Sequence, residues 1–183
     1  MASWETLAAF ALALGVFAYM PGPALLYTAA QTIARGRRAG LQAALGIHVG
    51  GYVHVLSVTL GLSALLAYTP AIYTAIKLAG ACYLVWMGVC LLLSRQPRDS
   101  APATPGKSDK RAFIDSIVVE VLNPKAALFF LAFLPQFADP AAAWSIPVQL
   151  LVLGVVTNIV FSSADLVTVA LASAILERSR TAR

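Results

Sequence analysis

Met20-Pro21-Gly22-Pro23 and Leu122-Asn123-Pro124-Lys125 decide how this chain is read. Each sits about midway along an apolar run: the first within Leu7–Gln31, the second within Phe113–Phe137. A proline has no N–H and its ring clashes with the carbonyl four residues earlier. Pro21 and Pro23 are therefore expected to free the carbonyls of Phe17 and Tyr19, and Pro124 that of Glu120. In lipid, such carbonyls must find partners in protein or in a water-filled cavity. One proline reads as a kink packed against its neighbours. Two prolines around a glycine, matched by a second break at similar depth, read as paired discontinuous helices.

The surrounding sequence puts these breaks in a bilayer. Of 183 residues, 60% are hydrophobic and 11% charged, against roughly 25% charged in a soluble domain. The mean hydropathy is +0.80. This composition disfavours a soluble enzyme, a disordered tail and a nucleic-acid-binding domain. Five runs are long enough for the ~20 residues of a membrane helix: Leu7–Gln31, Leu41–Ala67, Ala71–Ser94, Phe113–Phe137 and Ile146–Leu176. The expected fold is all-α, a polytopic membrane helix bundle of five transmembrane helices broken at 21–23 and 123–125. It forms a single membrane domain, 1–183. Residues 1–94 make a first three-helix repeat, 95–112 a cytoplasmic linker rich in Pro, Ser and charge, and 113–183 an incomplete second repeat. No basic residue precedes the first run, which is too long for a cleavable signal peptide.

The net charge of +5 has a topological explanation. Arg35, Arg37 and Arg38 follow run 1. Arg95, Arg98, Lys107, Lys110 and Arg111 follow run 3, and Arg178, Arg180 and Arg183 follow run 5. Only Lys77 and Lys125 of the 13 basic residues fall elsewhere, Lys77 near a helix end where it can snorkel. Basic residues gather on the cytoplasmic side, so the N-terminus is expected outside and the tail in the cytoplasm. No nucleic-acid partner is needed to explain the charge.

Three spans invert the second repeat relative to the first, so the breaks are expected to meet near the midplane, as in transporters built from inverted repeats. Half-helix N-termini suit a carboxylate, and freed carbonyls suit an ammonium group. Intramembrane ionisable residues mark functional sites by default. Here they are Glu120, Lys125 and Asp165. The structural alternative is an ion pair of Lys125 with Asp165 or Glu120. The functional one is a carboxylate that binds a cation or proton. His48 and His54 are about 120° apart around one helix. They read as packing residues, with His54 also a candidate polar cavity wall. No second carboxylate or cysteine stands at ligand spacing, so neither a metal nor a cofactor is expected. Gly46, Gly50 and Gly51 form a small-residue face for close packing, with Gly80 and Gly88 as candidates on run 3. Cys82 and Cys90 lie about 12 Å apart along one helix and cannot bridge.

These motifs, in this order, resemble the LysE/RhtB family of amino-acid exporters. The likeness runs from Pro21-Gly22-Pro23 through Ala34-Arg35-Gly36-Arg37-Arg38-Ala39-Gly40, Ala44-Leu45-Gly46-Ile47, Gly50, Gly61-Leu62 and Leu78-Ala79-Gly80-Ala81-Cys82-Tyr83-Leu84. It ends with the long stretch Leu122 to Phe137. The resemblance implies export of amino acids or derivatives by proton antiport from a bacterial inner membrane. It implies no enzymatic activity and six spans arranged as two inverted three-helix repeats. It marks Pro21, Gly22, Pro23, Asn123, Pro124 and Lys125 as substrate-binding, and Asp165 resembles an acidic position of the fifth helix. Glu120 or Asp165 is expected to carry the coupling proton. Two departures stand out: Ala24 replaces an Asn or Asp common in the family, and a sixth span is missing. A truncated chain, a homodimer partner that fills the gap, or a non-transporting subunit would account for the latter. A membrane thiol-redox protein is the enzymatic alternative, and it needs cysteines beside the breaks.

Overall fold

The computed structural model describes residues 3–62 and 109–181, with two isolated positions, Ala75 and Leu78, between them. Run 3, Lys77, Gly80, Gly88, Cys82, Cys90 and most of the linker lie outside the described residues. Every described element is helical.

Helix α1 spans Trp4–Tyr19, capped by Ser3, whose hydroxyl accepts from the Thr6 N–H at 3.3 Å. Helix α2, Pro23–Arg35, follows after the first break, and Gly36 ends it. Gly36 adopts φ +86, a left-handed conformation that disfavours a residue with a Cβ. Helix α3 runs Arg37–Leu56 and widens into a π-helical stretch, Ser57–Leu62. Helix α4, Asp109–Val121, leads to the second break. Helix α5, Pro124–Leu128, passes into a π-helical turn, Phe129–Phe133, and a 3-10 turn, Leu134–Phe137. Helix α6 spans Ile146–Thr181.

Two helical stretches, Arg37–Gly61 and Ile146–Arg178, are long and apolar enough to cross a membrane. The pairs α1–α2 and α4–α5 pass the same test together, bent by 43° and 41° at their breaks. These four correspond to runs 1, 2, 4 and 5, and the bends fall at the prolines. Two boundaries differ from the sequence reading. Helix α4 begins at Asp109, within the segment read as the 95–112 linker. The helix of run 5 extends past Leu176 to Thr181.

Helix α3 is the central element and packs on α2, α4 and α6. Its glycines permit the approach. A Cβ at Gly46 would strike Ser116 Oγ and the Phe113 carbonyl of α4, and one at Gly51 would strike Asn158 Oδ1 of α6. Asn158 donates instead to the His48 carbonyl at 3.0 Å, and Ser162 Oγ pairs with His48 Nδ1 at 2.6 Å. An apolar cluster of Phe10, Leu14, Val55, Val58, Phe129, Phe130, Leu134 and Leu150 fills the opposite end. Buried Gln149 pins the link between the last two helical segments through the backbone of Asp139 and Trp144. Leu12, Val16, Leu45, Leu60, Leu122, Ile159, Leu171 and Ile175 point outward and exposed. Such a surface belongs in lipid rather than water.

Gly46→Val is expected to lower stability by about 1–3 kcal/mol, the usual range for overpacking. Gly15→Ala, where a Cβ meets nothing within 4 Å, should leave it unchanged. Thermal unfolding of the detergent-purified protein, followed by size-exclusion chromatography, measures both.

Candidate functional site

The breaks meet, and side chains from outside each break complete them. At the first, the Met20 N–H turns back to the Phe17 carbonyl at 3.3 Å, so one acceptor freed by the prolines is used locally. The Met20 carbonyl, at the end of α1, accepts from Lys125 Nζ at 2.5 Å. That lysine comes from the second break. Its stem crosses directly over Gly22, where a Cβ would lie 2.6 Å from Lys125 Cδ. Its ammonium also sits 5.0 Å from the Phe17 ring centroid and 5.7 Å from that of Phe161, within cation–π range. A cation at the C-terminal end of α1 is favourable with respect to the helix dipole.

At the second break, the Glu120 carbonyl freed by Pro124 accepts from the Asn123 N–H at 3.0 Å and from His54 Nε2 at 2.8 Å. A carbonyl only accepts, so His54 carries its proton on Nε2. Its ring lies parallel to Phe130 at 5.6 Å. His54 thus stands behind the break on α3 and is not among the cavity-lining residues. Asn123 caps α5 by accepting from the Lys125 N–H at 3.1 Å, and its amide donates to Glu120 Oε2 at 2.9 Å. Both ends of this side chain are committed, which makes Asn123 the group that orients Glu120.

Between the breaks lies a narrow, partly open cavity; its about 310 Å³ of empty space includes the solvent at its mouth, and the enclosed part is water-sized. Gly22, Ala24 and Leu25 line it from the first break, Glu120, Asn123 and Lys125 from the second, and Phe161 and Asp165 from α6, with Ala18 and Ile47 completing it. Of the residues expected to form the site, Gly22, Asn123, Lys125, Glu120 and Asp165 reach this cavity. Pro21, Pro23 and Pro124 shape its walls by breaking the helices. Helix α2 starts without a side-chain cap. Its first helical bond is from the Leu26 N–H to the Gly22 carbonyl, so the Ala24 and Leu25 N–H groups have no intrahelical acceptor. Among the described residues, Lys125 forms no ion pair with Glu120 or Asp165. Asp165, 2% exposed, has one carboxylate oxygen, Oδ1, with no hydrogen-bond partner. Leaving such an atom unmatched in the interior is costly, and Asp165 is one of the residues that line the cavity. Among the described residues, no three His, Cys, Asp or Glu side chains gather as a metal site.

The family model for the LysE type translocator matches residues 15–183. The chain belongs to the LysE type translocator family. It is a multi-pass membrane protein and a translocator rather than an enzyme. An uncharacterized membrane protein of Vibrio cholerae is 32% identical over 150 residues, 81% of this chain and 72% of the relative. One of Pseudomonas aeruginosa is 34% identical over 146 residues, 77% and 67% respectively. A leucine efflux protein of Enterobacter sp. is 32% identical over 124 residues, 67% of this chain and 59% of that protein. The match therefore spans less than two thirds of the leucine efflux protein's length. No solved structure matches the chain.

Two residues of this arrangement were not legible as partners from spacing: Met20, whose contribution is a carbonyl, and Thr28, which lies beside Asp165. His54→Phe keeps the ring on Phe130 but removes the donor to the Glu120 carbonyl. It is expected to destabilise the protein by about 1–3 kcal/mol, with His54→Gln recovering part of the loss. Thermal unfolding of the two variants side by side checks this.

Proposed function

We propose that this translocator is a secondary exporter of amino acids, working by alternating access around the two breaks and driven by proton exchange. The observation that carries the reading is the pairing of opposite chemistries across one cavity. The uncapped N-terminus of α2 and the Lys125 ammonium offer positive character on one side. The carboxylates of Glu120 and Asp165 offer negative character on the other. A zwitterion satisfies both. Its carboxylate takes the Ala24 and Leu25 N–H groups, and its ammonium group takes the unpaired Asp165 oxygen. Ala18, Leu25, Ile47 and Phe161 leave an apolar wall for the side chain. That wall suits a neutral aliphatic amino acid, in keeping with the leucine efflux proteins among the relatives.

Glu120 and Asp165 are the proton carriers in this reading. Ala24 is compatible with it, because the backbone N–H of that position, and not its side chain, meets the substrate. The basic flanks after runs 1, 3 and 5 support an orientation with the N-terminus outside, in a bacterial inner membrane.

The sign of the coupling follows. Antiport moves a proton inward as an amino acid leaves, so acidifying the outside accelerates export and a protonophore stops it. In proteoliposomes containing the chain, Glu120→Gln and Asp165→Asn are each expected to reduce gradient-driven leucine efflux to the level of empty liposomes. Efflux that is unchanged in both variants refutes the proton role.

A further inference from the structure

Among the described residues, apart from Ser3 and Thr6 at the start of α1, the buried and half-buried threonine and serine hydroxyls fall into two groups. Thr32, Ser116, Ser162, Ser163 and Thr168 each donate to a carbonyl three or four residues earlier on their own helix. This is the usual refuge of a helical hydroxyl. Thr28 does not take it. It is fully buried and its Oγ1 has no partner. Thr59, Thr157 and Ser173 share that state, but Thr28 is the one placed beside an unpaired carboxylate oxygen, Asp165 Oδ1.

The helix register independently places them together. Thr32 Cβ and Val169 Cγ2 both lie within about 3 Å of the point where a Cβ on Gly40 would sit, at 3.1 and 3.2 Å. Thr32 of α2 and Val169 of α6 are therefore level. One turn back along each helix are Thr28 and Asp165. One turn further, Ala24 and Phe161 both line the cavity. The two helices run side by side in the same direction, and Thr28 and Asp165 form the middle rung. That rung lies next to the cavity, since Asp165 lines it and Thr28 does not. Two buried, unpartnered oxygens at one level of adjacent helices can be satisfied together by a proton shared between them, and either group can supply it.

We infer that Thr28 and Asp165 form a hydrogen-bonded proton site at the edge of the cavity, with the threonine hydroxyl as the positioning group. When Asp165 is a carboxylate, the hydroxyl donates to it. When Asp165 Oδ1 gains a proton, that proton is donated to Thr28 Oγ1 and the hydroxyl turns to another acceptor. One proton is gained or lost at one oxygen, and no other bond changes. The inference rests on the proposed proton-driven export and adds Thr28 to it. The charged groups facing Asp165 are Glu120 and Lys125. From α3, His48 and His54 are engaged elsewhere, with Ser162 and with the Glu120 carbonyl. No titratable residue of α1 lines the cavity.

The test uses the full 183-residue chain in proteoliposomes with leucine as probe. It compares Thr28→Val, Thr28→Ser and Asp165→Asn. Thr28→Val keeps the side-chain shape and loses the hydroxyl. It should lose proton-gradient-driven leucine movement while retaining leucine–leucine counterflow, which needs no net proton transfer. Thr28→Ser should behave as the parent. If Thr28→Val keeps gradient drive while Asp165→Asn loses it, the threonine role is overturned and the proton reading of Asp165 stands. If Asp165→Asn keeps gradient drive, both fall. A requirement for sodium instead of protons also overturns the site as described. A second measurement needs no transport. In the infrared spectrum of the reconstituted chain at acid pH, the carboxylic acid C=O band that disappears in Asp165→Asn should change frequency in Thr28→Val and not in Thr28→Ser. A band unmoved in Thr28→Val overturns the inference.

Discussion

Backbone carbonyls freed inside a bilayer need donors, and this constraint organises the structure. The prolines at 21, 23 and 124 open both broken spans, and an acceptor left in hydrocarbon loses several kcal/mol. A local N–H serves one freed carbonyl at each break, and a further donor at each comes from elsewhere in the bundle. His54 of α3 serves the Glu120 carbonyl, and Lys125 of the second break serves Met20 at the first. Each break is therefore completed in part by a side chain from another span. Gly22 allows this by leaving room for the lysine stem.

The same arrangement concentrates charge where a substrate can use it. Lys125 crosses to Met20, so it does not neutralise Glu120 or Asp165 by direct ion pairing. Glu120 is held by Asn123, whose other end caps α5. Asp165 keeps an oxygen in reserve. Buried unpaired polar groups destabilise a fold, and one of them, Asp165, lines the cavity. Local instability of this kind is expected where a ligand completes the hydrogen bonding, and it agrees with membership of a translocator family.

Much of this was legible in the sequence. Apolar run lengths located the four described spans, and the proline clusters located both bends, because proline geometry acts locally on its own helix. Glu120, Lys125 and Asp165 stood out because ionisable residues are rare in hydrocarbon. Partners were harder to read. The choice of Lys125 between two carboxylates and a carbonyl depends on how the breaks approach each other, which no spacing along one span encodes. His54 carried a sequence signal for polarity, but not for which carbonyl it serves. Thr28 carried none, since a helical threonine normally bonds to its own backbone. Only the register of α2 against α6 brings it to Asp165.

In the proposed function the two breaks enclose one water-accessible cavity that binds an amino acid at the start of α2. This is tested most directly at Ala24, in a chain with Cys82→Ala and Cys90→Ala. Ala24→Cys, reconstituted in liposomes, is predicted to react with a small hydrophilic thiol reagent, and leucine should slow that reaction. Leu45→Cys, on the outward apolar face, should stay unreactive. An unreactive Ala24→Cys, or one whose labelling no amino acid affects, rules out a substrate site at the start of α2.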